Sequence, residues 1–293
     1  MKKKLLIAAG VCALLILSFW TAWPNSPREP EWEGKPLSFW IVELRSHNPN
    51  PAELSPRQLA AKRAVRAIGT NAVPWLLTRI RTEPAHRWWK SVDDTYYAVR
   101  RLRIDLSIAT PTGIAENRAD EAIQAFHALG PIAGDAAPEL RIRLRAQIDT
   151  HSLFAAIALG GIGSNGINTL VAESRNTNRW IRSDVACGLG YAQTDQEVAL
   201  ATLLFMSSEK DRIVRGWSAK SLGQFTNHTS VSLPALVRLL KDSDPHVRFS
   251  AASAFRYFNG DISSAEPELR YALSDSSVYV REYATEALRR IPP

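Results

Sequence analysis

Arg87, Trp88, Trp89 and Lys90, followed by Tyr96, Tyr97, Arg100, Arg101 and Arg103, are the residues of this 293-residue chain whose types and spacing best suit ligand chemistry. Cationic side chains interleaved with aromatic rings can hold phosphates while stacking bases, or rest at a membrane interface. With Arg79 they give a candidate partner-binding patch of Arg79, Arg87, Trp88, Trp89, Lys90, Tyr97, Arg100 and Arg101. A plainer origin gives the same pattern: aromatics that cap a helical core, with arginines on a solvated face, since Tyr96, Val99 and Arg103 keep helical spacing. Outside the lysines at 2–4, the net charge of +7 comes almost entirely from residues 62–103, with ten basic and three acidic groups. Residues 104–293 hold nineteen basic and twenty-one acidic groups. A local basic patch fits that distribution and a chain-wide nucleic-acid surface does not. Arginine outnumbers lysine 27 to 9, which favours bidentate or stacked contacts.

Catalytic chemistry finds little to stand on. Gly161-Ile162-Gly163-Ser164-Asn165-Gly166 matches a dinucleotide fingerprint as a string. It follows a helix-like run rather than a strand, so it reads as a turn between helices. The six histidines show no metal-ligand spacing. Cys187 lies in a helical pattern with no flanking His/Asn signature and reads as a small core residue. Cys12 sits in the apolar N-terminal run, so a pair with Cys187 is not expected. No catalytic, cofactor-binding or metal-binding residue is assigned, and no cofactor is expected.

The segments that would position these residues differ in character. Three lysines precede Leu5–Trp23, nineteen residues without a charge. At ~1.5 Å per residue that run can cross most of a ~30 Å bilayer core. The expectation is a signal anchor over 1–23, with the N-terminus cytoplasmic and the remainder on the periplasmic side of a bacterial inner membrane. Secretion after signal cleavage is the alternative. Residues 24–56 read as a proline-rich tether carrying one amphipathic helix, with Leu37, Trp40, Ile41 and Leu44 on one face.

Periodicity decides the fold of residues 57–293. Arg182, Arg215, Arg248 and Arg281 stand 33 residues apart, followed four places later by Ala186, Ala219, Ala252 and Thr285, and seven places later by Leu189, Leu222, Phe255 and Leu288. A second series runs Leu170, Leu203, Leu236 and Leu269. Each unit therefore supplies two helices. Glycine near the end of the first (Gly190, Gly223, Gly260) offers a left-handed cap, and proline often opens the second. First helices fall at about 57–68, 118–129, 151–160, 179–190, 211–222, 245–258 and 277–290. Between the proline-led helices at 74 and 138 about thirty residues are inserted, roughly 82–115, and insertions of this kind often form a binding face.

Asp244-Pro245-His246-Val247-Arg248, with Ala251, Ala252 and Ala254 and then Pro267 and Leu269, resembles the HEAT-like repeats of the phycobilisome-lyase type. Repeat 3 departs from the pattern with Ser152 where the arginine would fall. Gly34–Trp40 and Ala64–Gly69, together with the apolar N-terminus, resemble a group of anchored bacterial HEAT-repeat proteins of unassigned function. The resemblance implies an all-α, right-handed solenoid of about seven repeats, second helices lining the concave face, and no catalysis. It also implies a structural ladder in which Arg182, Arg215, Arg248 and Arg281 pair with a nearby aspartate, Asp211 or Asp244, between units. The expected function is a membrane-anchored, non-enzymatic protein-interaction scaffold with an unidentified protein partner. A polyanion binder using 79–103 is the first alternative and a lyase-like enzyme or enzyme subunit the second.

Overall fold

In a computed structural model, residues 27–45, 54–80, 111–146, 151–258 and 260–291 are described. They begin with a hairpin of β1 (Glu31–Trp32) and β2 (Lys35–Pro36), turning at Glu33 and Gly34, both at positive φ. The sequence gives no alternation over so short a span. Helix α1 (Leu37–Arg45) follows, its Ser38 N–H donating to Glu29 Oε1 at 2.6 Å. Leu37, Trp40 and Ile41 are buried. Helix α1 packs on α2 (Pro56–Ile68), so it belongs to the core and is not a passenger on the tether.

Helix α2 opens with a capping box in which Ser55 Oγ accepts from the Gln58 N–H and Gln58 Oε1 accepts from the Ser55 N–H. Two orphan backbone donors are satisfied at once. The remaining helices alternate between two rows. The arginine-column row contains α2, α4 (Pro111–Leu129), α6 (His151–Gly161), α8 (Arg179–Leu189), α10 (Arg212–Leu222), α12 (Pro245–Tyr257) and α14 (Val278–Leu288). The other row contains α3 (Val73–Arg79), α5 (Ala137–Ala146), α7 (Ser164–Glu173), α9 (Gln196–Met206), α11 (Thr229–Leu239) and α13 (Glu266–Ala272). A continuous apolar core runs between the rows from Leu37 to Ala287. Each repeat buries one face of its helices against its neighbours, which is what makes such a stack cohere.

Helices of the arginine-column row pack extensively on one another, whereas adjacent helices of the other row barely meet. Small residues permit this. A Cβ on Gly188 would lie 2.3 Å from Ala156 O, and one on Gly160 2.1 Å from Gly188 O. A stack packed more closely along one row curves toward it. The arginine-column helices therefore line the inner side, which corrects the expectation that the second helices do so.

Glycine also serves a different purpose from the one expected. Gly190 and Gly223 have φ −63°, not a left-handed value. A Cβ there would meet Ser221 Oγ at 2.8 Å or Ala254 Cβ at 2.9 Å, so these positions need space. The glycines at positive φ after a helix are Gly69 and Gly130, at φ 63° and 59°. Pro234 likewise does not open its helix but sits inside α11.

The membrane placement is corrected. No helix among the described residues is long and apolar enough to cross a membrane, and the anchor expected over 1–23 lies outside the described residues. Most of the insertion expected at 82–115 also lies outside them, and its end falls within α4, which starts at Pro111.

Candidate functional site

Of the candidate partner-binding residues, Arg87, Trp88, Trp89, Lys90, Tyr97, Arg100 and Arg101 lie outside the described residues. Arg79 is inside them and already committed. Its Nη1 donates to Glu121 Oε2 at 3.0 Å and its guanidinium stacks 3.7 Å over Trp75, joining α3 to α4. Burial lowers its pKa more than Glu121 raises it.

The arginine column forms a ladder. Arg248 donates from Nε and Nη2 to Asp275 at 2.6 and 3.0 Å, and from Nη1 to the carbonyls of Asp242 and Ser243. Arg215 repeats this with Asp242 and with the carbonyls of Glu209 and Lys210. Arg182 does so with Glu209 and the carbonyls of Asn176 and Thr177. Each arginine thus closes its own loop and grips the acid of the next. Charge-assisted, bidentate bonding of this kind suits partly buried ions. Arg281 holds the carbonyls of its own loop, Asp275 and Ser276.

The acids are not the expected ones. Asp211 and Asp244 are helix caps, accepting from the N–H groups of Ile213 and His246. Their contacts to arginine are the looser ones from Arg179 (3.8 Å) and Arg212 (3.6 Å). Glu209, Asp242 and Asp275 are themselves 33 residues apart, a column that could have been found by the same arithmetic. In repeat 3, Ser152 donates to Asp184 of α8 at 2.7 Å.

The inner surface carries a feature that sequence reasoning missed. Trp180 and Tyr279 are 48% and 61% exposed. Trp217, Phe249 and Tyr283 are half-buried against the core. They fall on α8, α10, α12 and α14. His246 stacks on Phe249, whose ring meets Tyr279 and Tyr283 edge-on at 6.0 and 5.4 Å between centroids. Arg179 lies 4.8 Å over Trp180 and Lys220 lies 4.9 Å over Trp217. The signal was two more 33-residue columns: Trp180, Ile213, His246, Tyr279 and Asp184, Trp217, Ser250, Tyr283. A row of aromatics with cations over their faces is suited to gripping another chain.

Two groups that could do chemistry, Cys187 and His127, are turned inward. Burial pushes the Cys187 thiol up to about 12, with Asp184 adding to the effect, so the thiolate nucleophile is withheld. His127 is wedged against Gly161 and donates from Nε2 to Ile157 O at 2.9 Å, and burial lowers its pKa. Gly163, at φ 83°, caps α7 in the turn after α6, so the glycine string joins two helices. No group of three His, Cys, Asp or Glu able to hold a metal occurs among the described residues.

The model of the family described as HEAT repeat matches residues 233–258, from within α11 through the loop to the end of α12. Together with the stacked helix pairs, that match makes the chain a HEAT-like repeat protein. No curated protein matches it. Among solved structures, the complex of CpcE and CpcF of phycocyanin lyase from Nostoc sp. PCC7120 is 20% identical, with a TM-score of 0.46 over 53% of this chain and 98% of that one. A designed armadillo repeat protein in complex with peptide (KR)4 is 15% identical, with a TM-score of 0.38 over 86% of this chain and 98% of that one. The Pds5–Scc1 complex gives 11% identity and a TM-score of 0.40 over 88% of this chain and 51% of that one.

Proposed function

We propose that the chain is a non-catalytic protein-interaction scaffold whose docking face is the inner aromatic row. The observation that carries the reading is the gathering of five aromatic rings on the arginine-column row, Trp180 and Tyr279 exposed and Trp217, Phe249 and Tyr283 half-buried, with cations over two of them. Large rings of low conformational entropy are the usual energetic anchors of protein interfaces. The neighbouring cations shield the rings from water without filling the surface. Of the alternatives raised by the sequence, the polyanion-binding patch at 79–103 lies, beyond Ile80, outside the described residues.

The test is photo-crosslinking from Gln224, an exposed position one turn beyond the Lys220 step of α10, with full-length protein in extract from its native source. A stoichiometric protein partner should be captured by the wild type. It should be lost from a Trp180→Ala/Tyr279→Ala variant whose circular dichroism is unchanged. Equal capture by that variant, or no protein partner at all, overturns the reading.

A further inference from the structure

Two clefts adjoin along the edge of the inner row where the helices begin. The first, about 510 Å³, lies among the starts of α8, α10 and α12 and is lined by Arg179, Lys210, Arg212 and the capping Asp211 and Asp244. The second, about 320 Å³, lies between α12 and α14 and is lined by His246, Phe249, Ser277 and Tyr279. Pro245 is in the wall of both, so they form one groove. Its two halves differ in chemistry.

In the first half the positive charge is incompletely answered. Arg215, also in its wall, is clamped by Asp242. That leaves Arg179, Lys210 and Arg212 facing two aspartates already engaged by helix N–H groups. Arg179 and Arg212 are more than half exposed and stand 3.8 and 3.6 Å from those aspartates, beyond good hydrogen-bond length. Lys220, nearby on α10, is held by the Trp217 face. In the second half three rings surround a pocket with little polar surface, floored by the Phe249 contacts to Tyr279 and Tyr283.

We propose that this groove binds an extended acidic segment of a partner protein, with its carboxylates over Arg179, Lys210 and Arg212 and an apolar side chain in the His246–Phe249–Tyr279 pocket. The inference rests on the scaffold reading and deepens it by naming the partner's chemistry and direction. Arginine forks donate bidentately to carboxylates, which supplies orientation. The aromatic pocket supplies an anchor buried away from water. An acidic stretch followed by an apolar residue fits the groove in one polarity only, because the reversed chain would set its carboxylates against Tyr279.

The probe is a fluorescein-labelled peptide, Asp-Glu-Asp-Glu-Gly-Leu-Phe, added to full-length protein and read by anisotropy at low and moderate salt. A peptide of the same composition in scrambled order, a peptide with lysine for each acid, and a single-stranded oligodeoxynucleotide are compared. Saturable binding is expected to weaken at least tenfold in Arg179→Glu/Arg212→Glu and to fall with added salt, as exposed charges require. Tyr279→Ala, at an exposed position that cannot collapse the core, should also weaken it severalfold. The lysine peptide should gain affinity for the Arg179→Glu/Arg212→Glu variant. Binding that is indifferent to that double variant, a lysine peptide or oligonucleotide that binds the wild type better, or no peptide binding overturns the proposal. If no acidic peptide binds while crosslinking from Gln224 still captures a partner through Trp180 and Tyr279, the acidic preference fails and the scaffold reading stands. If both fail, the scaffold reading falls with it.

Discussion

Arg248 holds the Asp275 carboxylate at 2.6 and 3.0 Å across 27 residues, while another of its nitrogens holds Asp242 O, six residues behind it. Asp242 is in turn the acid gripped by Arg215. Asp242 therefore serves two repeats, by side chain the one before and by backbone the one it opens.

Removing a rung should show this continuity. Both Arg248 and Asp275 are only 15% and 11% exposed, so Arg248→Ala strands a partly buried carboxylate and opens two loops. The expected loss is about 2 kcal/mol or more. Urea unfolding followed by circular dichroism reads it, and an unchanged midpoint would mean the arginine is merely solvated. Asp244→Ala removes a cap but no rung, and should cost about 1 kcal/mol.

Acid should weaken the fold in two stages. Burial alone would raise Asp242 and Glu173, but hydrogen bonds outweigh it: from Arg215 and the Asp244 N–H for Asp242, and from Arg145, Asn176 and Arg141 for Glu173. Arg248 holds Asp275 below the usual carboxylate range. A group with a depressed folded pKa binds its proton more readily when unfolded, so its contribution is complete above the unfolded value and lost as pH falls through the folded one. For the carboxylates that loss begins below about pH 4. His127, buried and neutral, begins to cost stability below about pH 6.5. His127→Gln keeps a donor for Ile157 O and should remove the upper stage while leaving the lower one. Midpoints measured from pH 7.5 down to about 2 check both stages, and an unaltered upper stage would assign it to another group.

Gly188→Ala should cost about 1–3 kcal/mol, because its methyl would press on the Ala156 carbonyl of the neighbouring helix, which cannot retreat. Gly216→Ala meets only Ser250 Oγ, at 3.2 Å, and should cost less. Thermal melts of the two variants decide it. Equal losses would point to a cost common to both positions and not to the helix contact.

Cys187 should resist iodoacetamide in the folded protein and react only after unfolding, since its thiol is 8% exposed and its pKa stands near 12. Peptide mass spectrometry localises the adduct. Labelling of native protein at neutral pH would show that the helix opens.

The helices were legible because the side chains that set them recur. Every arginine-column helix from 57 onward lies where the columns and proline signals put it, with α4 beginning earlier than periodicity suggests. The partners of those arginines were not legible from proximity in sequence. Asp244 lies four residues before Arg248, yet it turns to the helix N-terminus, and the acid that matters comes 27 residues later. The exposed aromatic row was obscured for a related reason. Trp180, Phe249 and Tyr279 look like core residues in a window of sequence, and only the packing of α8, α12 and α14 shows which side of each helix is covered. The candidate patch at 87–101 drew attention by composition, which records residue types but not where the chain folds them.

Because the arginine bonds all run along the loop edge from Arg182 to Asp275, the array is bound on that side like the spine of a book. The helices of the other row, α9, α11 and α13, pack little on one another, so the order of the repeats is kept chiefly from that one side.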